Sequence, residues 1–531
     1  MSKKFRHVVT LMLIAALFGI QNVGAAGVLK IGLSSEEGTL NPYTYKTETG
    51  IDLVRLVYDP LFQIDKDLVS RPWLVKSFTL TENNLLLTMK LHENVKWHDG
   101  KPLTSADVKF TYEYIKKYPK SRFTNPAKNI VAVEAPDAST VVMKFQKYLP
   151  DMFFRPLADM PILPKHIWEK IDNPDASNVT VGSGAFMLTD VKPGEMYRMK
   201  ANKDFFLGAP DVDEIVIPLI KDTTALFTAL KAGSLDITTR NLSPELIRDF
   251  SADKRLKVLK GSGFATTMIY FNNERTPFDK KEFRQALAYA INRKEIVDVV
   301  ILGIGTVGSM GFVHPDLGNY NSKINQYDYD LEKSKKLLDG LGYLDKNKDG
   351  VRERETDQGK ALELKLLVYA NNPLRVRAAE LIKESFAKIG VKVAIIALDM
   401  AVVDNLVWPD FDAKNGRDYD MTMWGWGASS MNAMNRYVEM LHSDFARGPS
   451  NHGAYKSKAA DAILDKLALE VDFGKRDALV VELQAVLAEE VPFVTLYYAD
   501  QYFAYNPKAK DSWVYQKGKG PVTVLSFAKK F

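Results

Sequence analysis

Residues 362–397 decide the fold class, and they read LELKLLVYANNPLRVRAAELIKESFAKIGVKVAIIA. The run 362–369 is strongly apolar, which is typical of a buried strand. Asn372 and Pro373 then supply a helix N-cap and a first-turn proline, and apolar residues recur at helical spacing after them. Residues 391–397 alternate between apolar and other side chains. This order predicts a strand, helix, strand crossover in a parallel sheet, and therefore an α/β fold.

Patterns elsewhere in the chain extend this prediction. Asp279 and Glu282 have the spacing of a capping box ahead of an amphipathic helical pattern, and Asn292 predicts the start of a second helix directly after it. The first third of the chain instead contains short β-rich runs, such as 85–91 and 140–145, separated by Asp, Gly and Pro turns. These runs predict an antiparallel region. Because no low-complexity linker separates the regions, we expect domains that are interleaved along the chain.

Length and composition indicate a large folded protein. The chain has 531 residues, of which 46% are hydrophobic and 26% charged, so two or more folding units with sizeable cores are expected. These fractions do not fit a disordered, collagenous or multi-span membrane chain. The formal net charge is only +5, which does not favour nucleic acid as a partner.

The N-terminal segment has the order of a secretory signal peptide. Lys3, Lys4 and Arg6 precede an uncharged apolar run at 8–20, and small residues follow up to Ala26. The apolar run is shorter than the roughly 20 residues that span a bilayer. We therefore expect residues 1–26 to be cleaved near Ala26 during export.

The chain contains no cysteine. This absence excludes disulfides, thiolate metal sites, cysteine nucleophiles and the lipid-attachment cysteine of an exported lipoprotein. An exported protein without an anchor stays near its cell only behind a second membrane. The expected location is therefore a periplasm of the Gram-negative type.

Gly303, Gly305 and Gly308 form a literal G-x-G-x-x-G, the pattern that cradles a dinucleotide pyrophosphate. That fingerprint must follow a strand, whereas residues 294–302 have a helical pattern. We therefore expect these glycines to end the helix and form a loop.

Asp345, Asn347 and Asp349 have the spacing of the first half of an EF-hand calcium loop. The twelfth position, which should be a bidentate glutamate, is Thr356. A solvated turn is the favoured interpretation, and a calcium site is a weaker alternative.

No catalytic motif is present in the sequence. The seven histidines have no metal-ligand spacing, and neither a G-x-S-x-G elbow nor a phosphate-binding loop occurs. We expect a protein that is not an enzyme and that has no cofactor.

Aromatic residues are concentrated in residues 419–429, which read YDMTMWGWGAS. Trp424 and Trp426 are two positions apart, so on a strand they share a face, and the glycines beside them leave room for a ligand. Such rings either stack on a ligand or fill a core. The sequence does not decide between the two.

A family resemblance is carried by residues 91–108, which read LHENVKWHDGKPLTSADV. They match an aromatic residue followed by Asp-Gly, Pro-Leu-Thr and Asp-Val, a signature of the family 5 extracellular solute-binding proteins. This group includes the periplasmic oligopeptide-, dipeptide- and nickel-binding proteins of ABC importers. Further matches follow in family order at 39–42, 58–61, 182–184, 201–206, 270–272, 283–294 and 502–507. The resemblance covers essentially the whole mature chain.

The resemblance implies a two-lobed periplasmic binding protein fold, type II and similar to cluster C, with an extra antiparallel subdomain. It places lobe I in residues 27–65, 185–268 and 497–531, with the subdomain inserted at 66–184 and lobe II at 269–496. Two strands would cross between the lobes. The hinge candidates at their ends are Thr266, Asn273, Val494 and Phe503.

The sequence departs from its peptide-binding relatives at two charged positions. In those relatives a Trp-x-x-Asp motif pairs its carboxylate with the peptide ammonium; here Trp426 matches the tryptophan, but Ser429 stands in place of the acid. The arginine that dipeptide binders place just before the Asn-Pro is also absent. Arg375 and Arg377 are near, but we interpret both as solvated helix surface.

We therefore expect the soluble binding component of an ABC importer, which captures a short peptide or similar small solute and delivers it to permease subunits. The missing charged anchors raise an oligosaccharide as an alternative ligand, and a secreted hydrolase is an alternative of another class. A monomer is expected. The candidate ligand-binding residues are Trp424, Trp426, Ser429 and Tyr45.

Overall fold

A computed structural model of the chain describes residues 27–34, 40–45, 48–120, 123–124, 127–147, 150–428, 435–470 and 472–531. The predicted signal peptide at 1–26 and Ser429 lie outside these residues. In the described ranges the strands are β1 (Val28–Gly32), β2 (Phe62–Ile64), β3 (Ser70–Pro72), β4 (Val75–Thr81), β5 (Leu86–Leu91), β6 (Ile130–Asp137), β7 (Thr140–Phe145), β8 (Phe186–Lys192), β9 (Met196–Ala201), β10 (Glu214–Pro218), β11 (Ile237–Thr238), β12 (Lys257–Phe271), β13 (Gly305–Val307), β14 (Glu363–Tyr369), β15 (Lys392–Leu398), β16 (Met421–Trp424) and β17 (Phe493–Tyr505).

The α-helices in the same ranges are α1 (Glu48–Val57), α2 (Ser105–Lys117), α3 (Lys165–Trp168), α4 (Thr223–Lys231), α5 (Pro244–Ala252), α6 (Lys281–Ala290), α7 (Arg293–Val300), α8 (Leu331–Gly340), α9 (Pro373–Ala387), α10 (Met400–Val407), α11 (Asn435–Leu441), α12 (Lys458–Leu467) and α13 (Phe473–Glu490). Among them, no helix has both the length and the apolar character needed to cross a bilayer.

Most strands belong to one 11-stranded sheet, in the order β15-β14-β16-β12-β17-β11-β1-β10-β9-β8, with β13 attached to β17. The predicted crossover is confirmed, because β14 and β15 pair in parallel and α9 connects them. Asn372 caps α9, since its side chain accepts a hydrogen bond from the Arg375 backbone N–H. The sheet is therefore mixed, with a parallel part that is built around this crossover.

The antiparallel region predicted in the first third of the chain is also confirmed. Strands β4, β5, β7 and β6 form a separate four-stranded sheet in that order, and every neighbouring pair is antiparallel. Its inward residues, such as Leu87 and Met89, join the same hydrophobic cluster as Leu29 and Ile215 of the large sheet. The small sheet therefore shares a core with one half of the large sheet.

The hydrophobic residues cluster at two ends of the large sheet. One large cluster surrounds β1, β9 and β10 and includes the four-stranded sheet. Two other clusters cover the opposite faces of β14, β16 and the adjoining ends of β12 and β17. We call the part around the first cluster lobe I and the part around the other two lobe II. Among the strands that the structure describes, β12 and β17 contribute residues to both ends.

One predicted helix start is wrong by a residue. Helix α6 begins at Lys281 with Lys280 as its N-cap, so Asp279 does not cap it. The reason is a turn in which the Lys280 N–H donates to the Pro277 carbonyl, which delays the helix. The next start is confirmed, because the Asn292 side chain accepts from the Glu295 N–H.

The three glycines of the G-x-G-x-x-G pattern follow helix α7, as expected. Gly303 has φ 75° and ends the helix, because its N–H donates to the Val297 carbonyl. The remainder differs from the predicted loop, since Gly305–Val307 forms strand β13 on β17. A Cβ at Gly308 would lie 2.1 Å from the Thr495 carbonyl oxygen, so this glycine permits close backbone contact.

Gly308→Ala should therefore destabilise the protein by roughly 1–3 kcal/mol, because the added methyl group must displace backbone of β17. Gly318→Ala is the matched control, since a Cβ there meets nothing within 4 Å. Urea denaturation of both variants measures the difference. Equal stabilities for the two variants would contradict the packing role of Gly308.

Candidate functional site

The parallel strands of lobe II end along one edge of the sheet. Strands β14, β15 and β16 run in the same direction, so their carboxyl ends at Tyr369, Leu398 and Trp424 lie side by side. Ligands of open α/β sheets bind outside this edge, where the loops that follow the strands leave a crevice. The edge is therefore the first place to search for a site.

An aromatic cluster packs next to the carboxyl end of β16. The rings of Trp408, Trp424 and Trp426 surround His452, with ring centroids 5.8, 4.9 and 5.9 Å from the imidazole. The Trp426 Nε1–H donates to the Tyr270 hydroxyl at 2.9 Å. Trp424 and Trp426 are only 7% and 8% exposed, so most of each ring packs within lobe II.

His452 is the polar centre of this cluster. It is fully buried, and neither ring nitrogen makes a hydrogen bond of normal geometry. Burial lowers the pKa of His452 from 6.5 to about 3, because the cost of removing a charge from water outweighs the opposite effect of the Ser450 backbone. The imidazole is therefore neutral at pH 7 and acts as a packing residue.

Strands β12 and β17 leave this edge and continue into lobe I. Their antiparallel pairing is interrupted between Ser262 and Thr266, where Phe264 has φ 56°. Trp426 is joined to this point, because its N–H donates to Thr266 Oγ1 and its carbonyl accepts from the Thr266 N–H, both at 2.9 Å. The interruption therefore lies where the aromatic edge of lobe II meets the crossing strands.

A cavity of about 300 Å³ opens between the two lobes at this level. Lobe II contributes Gly427 and Ala428, which directly follow Trp426, and the crossing strand β17 contributes Gln501 and Phe503. Lobe I supplies the opposite wall from three separate segments, with the residues Asp52, Leu53, Thr239, Gly518, Lys519 and Val522. The cavity is thus an interlobe cleft, with walls from both lobes and a side formed by a connecting strand.

One ion pair lines the cleft. Lys519 Nζ lies 3.0 Å from Asp52 Oδ1, and the two side chains are 20% and 22% exposed. They are separated by 467 positions in the chain. Partial burial strengthens such a pair relative to one on an open surface.

A second cation lies at the sheet edge, on the first turn of α9. The guanidinium of Arg375 is 5.0 Å from the centre of the Tyr369 ring, and its buried Nε has no hydrogen-bond partner among the described residues. Burial holds the pKa of Arg375 below its usual range. Arg375 is therefore not the solvated surface residue that the sequence predicted. The approach of its side chain depends on Gly425, where a Cβ would lie 2.7 Å from Nη2.

The comparisons with known proteins agree with this geometry. The model of the bacterial extracellular solute-binding proteins, family 5 (middle), matches residues 70–448. The chain belongs to this family. The resemblance predicted from residues 91–108 is thereby confirmed, and with it the two-lobed α/β fold.

Several family 5 relatives are similar over most of their length. The oligopeptide-binding protein AppA of Bacillus subtilis is 27% identical over 489 residues, which cover 90% of this chain and 87% of AppA. The di/tripeptide-binding protein 1 of Pseudomonas aeruginosa is 28% identical, with 87% of each chain covered. The crystal structure of the ABC transporter substrate-binding protein CtaP of Listeria monocytogenes has a TM-score of 0.77 at 25% identity and covers 94% of this chain and 99% of CtaP.

The other residues singled out from the sequence lie in different places. Tyr45 is buried in lobe I, where its hydroxyl donates to the Asp159 carbonyl at 2.9 Å. Of the hinge candidates, Thr266 borders the interruption in β12 and Phe503 lines the cleft. Asn273 and Val494 lie deeper in lobe II; the Asn273 side chain donates to the Gly453 carbonyl at 2.8 Å.

In the calcium-like loop, the side-chain oxygens accept hydrogen bonds from the backbone N–H groups of the same loop. Asp345 Oδ2 accepts from the Gly350 N–H, Asn347 Oδ1 from the Asp349 N–H, and Asp349 Oδ1 from the N–H two residues further on. In the part of the chain that the structure describes, no group of three or more His, Cys, Asp or Glu residues could hold a metal ion. These contacts favour the solvated turn.

Sequence reasoning missed Asp52, Lys519 and the buried position of Arg375. No local signal identifies the first two, because the pair is made by tertiary structure alone. A signal for Arg375 did exist. It follows an N-cap at the carboxyl end of a parallel strand, which is a position that faces the crevice of an α/β sheet.

The burial of His452 predicts a pH effect on stability. The unfolded chain takes up a proton below pH 6.5, whereas the folded chain resists it down to about pH 3, so stability falls as the pH falls through this window. The loss is about 1.4 kcal/mol per pH unit for one proton. His452→Phe should remove this contribution and keep the aromatic packing.

Urea denaturation of wild type and His452→Phe at several pH values between 7 and 4 tests the prediction. At pH 7 the variant should be at least as stable as wild type, because no ring-nitrogen hydrogen bond is lost. Below pH 6.5 the difference in favour of the variant should grow. If the free energies of unfolding of the two proteins changed with pH in parallel, His452 would not be protected from protonation.

Proposed function

We propose that this family 5 protein is the substrate-binding component of an ABC importer and that it captures a short peptide in the interlobe cleft. The observation that carries the proposal is the cleft itself, which has walls from both lobes. The partly buried cation Arg375 lies next to Gly425, two residues before the cleft residue Gly427. The walls from both lobes enclose a solute when the lobes close. The cation is an anchor for a charged ligand.

The guanidinium of Arg375 contacts the Tyr369 ring, but it has no acidic hydrogen-bond partner among the described residues, and its Nε has no partner there at all. Such a group supports a ligand with a carboxylate. Removing a cation from water without a counter-charge is costly, and a ligand carboxylate would compensate that cost with charge-assisted hydrogen bonds. A neutral oligosaccharide would leave the charge uncompensated. AppA and the di/tripeptide-binding protein 1 are named for peptides, so the oligosaccharide alternative has no support from them.

The size of the cleft supports a small ligand. A volume of about 300 Å³ is at the lower end of the range of roughly 300–1,000 Å³ that is usual for ligand sites. Peptides of two or three residues are therefore the ligands that we propose first.

The interruption between Ser262 and Thr266 is the proposed hinge in β12, with the facing part of β17 at residues 498–501. A break in a two-stranded connection concentrates the change of backbone angles in a few residues. In this proposal Thr266 and Phe503 border the hinge, while Asn273 and Val494 move with lobe II as a rigid body.

The proposed location is the periplasm. The solute-binding proteins of this family are extracellular, which agrees with the charged and apolar pattern of residues 1–26. There the protein would work as a soluble receptor beside the membrane-embedded permease.

Calorimetric titration with di- and tripeptides tests the proposed function, with each peptide supplied as the free acid and as the C-terminal amide. Wild type should bind free acids more tightly than amides. Arg375→Gln should lose about tenfold to a hundredfold in affinity for the free acids and little for the amides, because a charge-assisted hydrogen bond is removed.

Arg377→Gln is the matched control, because Arg377 lies on the same helix but is exposed. It should bind like wild type. Failure of wild type to bind any peptide would contradict the proposed function. Equal affinity of Arg375→Gln and wild type for free acids would contradict the role of Arg375 alone.

A further inference from the structure

Among the described residues that line the cavity, the two charged ones both lie on lobe I. Among the described residues around the cavity, Asp52 is the acid and Lys519 is the base. The remaining wall consists of polar, small and apolar residues, including Thr239, Gln501 and Phe503. A charged ligand that enters this cleft therefore meets one carboxylate and one ammonium group on the lobe I wall.

Lys519 is presented by a tight turn. The backbone groups of Gln516 and Gly520 hydrogen bond to each other in both directions, and the Gln516 side chain donates to the Ile64 carbonyl. The Gly518 N–H donates to the Ser262 carbonyl of the crossing strand at 3.0 Å. The turn is thus attached to lobe I and to the proposed hinge, and it holds Lys519 beside Asp52.

The position of Asp52 is fixed by the packing of helix α1. Its neighbours Ile51 and Leu53 on α1 belong to the buried core of lobe I, so the helix cannot rotate without exposing them. The helix backbone at Asp52 is therefore fixed, and the ion pair with Lys519 holds the side chain toward the cleft. A carboxylate in such a position is prepared for a cationic partner before the partner arrives.

Lobe II offers no equivalent acid where peptide-binding relatives have one. Residues 429–434, which follow the cleft residue Ala428, read SSMNAM and contain no Asp or Glu. Two other acids near the edge are already used: Asp404 accepts from the Tyr369 hydroxyl, and Glu439 pairs with Arg436 at 3.0 Å. An ammonium group in the cleft therefore finds its counter-charge on lobe I.

We propose that Asp52 binds the α-ammonium group of the ligand, so that a peptide lies with its N-terminus on lobe I and its C-terminus at Arg375 on lobe II. This inference rests on the proposed function and names the orientation and charge of its ligand. Lys519 is the counter-ion of Asp52 in the empty cleft. The ligand ammonium then shares the carboxylate with Lys519, because a carboxylate has two oxygens and about four acceptor sites.

The arrangement links recognition to closure. A ligand with a free ammonium and a free carboxylate has an oppositely charged partner on each lobe, so it holds the two lobes together. A peptide that is blocked at one end keeps a single terminal charge, so it has an oppositely charged partner on one lobe and none on the other. The ligand binds the closed arrangement of the lobes more tightly than the open one, and this difference in affinity drives closure. The difference is largest for the doubly charged ligand.

Calorimetric titration of one tripeptide in free and N-acetylated form tests the inference on five proteins: wild type, Asp52→Asn, Asp52→Glu, Lys519→Met and Glu195→Gln. Glu195 is an exposed lobe I acid away from the cleft, and its variant is the control for charge removal. Wild type and Glu195→Gln should bind the free peptide about tenfold to a hundredfold more tightly than the acetylated peptide.

Asp52→Asn should bind both forms with the affinity that wild type has for the acetylated peptide. Asp52→Glu should restore part of the preference for the free amine. Lys519→Met should keep that preference, because the ligand ammonium becomes the counter-ion of Asp52. Equal weakening of free and acetylated peptides by Asp52→Asn would overturn the inference and leave the proposed function intact. Absence of peptide binding by wild type would overturn the proposed function, and this inference with it.

Discussion

The antiparallel ladder between β12 and β17 is the interaction on which the rest of the structure depends. At one end Lys257–Ser262 pairs with residues 500–505 in lobe I, and at the other end residues 266–270 pair with Phe493–Tyr498 in lobe II. Between them a Cβ at Gly263 would lie 2.1 Å from the Ala499 carbonyl oxygen, so glycine is needed to keep the strands in contact. The ladder keeps the lobes together, and in the proposed function its interruption is the point at which they move.

The cleft follows from the position of this ladder. Because both strands enter lobe II beside the carboxyl ends of its parallel strands, the crevice of the α/β sheet opens toward lobe I. Arg375 and the loop after Trp426 lie along that edge, and the Lys519 turn and α1 face it from the other lobe. In the proposal, Asp52 on lobe I and Arg375 on lobe II select a ligand that carries charges of both signs.

Much of the fold could be predicted from the sequence, because its signals are local. The crossover at 362–397 needs only apolar periodicity, an N-cap and a first-turn proline, and the structure reproduces each of them. The start of α6 was wrong because a turn between Pro277 and Lys280 takes precedence over the capping-box spacing. The partial burial of Arg375 could not be predicted, since its side chain packs beside Gly425, which directly follows another strand, β16.

The site was harder to predict than the fold. Trp424 and Trp426 are conspicuous in sequence, yet their rings mainly pack around His452 in lobe II. Asp52 and Lys519 are inconspicuous, and only the return of the C-terminal segment to lobe I brings them together. Periodicity reports which face of an element is buried. It does not report which distant segments meet across a cleft.

The central claim is that two lobes close on a solute by movement at the β12–β17 interruption. Small-angle X-ray scattering of the protein alone and with a saturating short peptide tests it most directly. The account predicts a smaller radius of gyration with peptide, while the scattering remains described by the same two lobes in a closer arrangement. An unchanged radius of gyration in the presence of a bound peptide would contradict it.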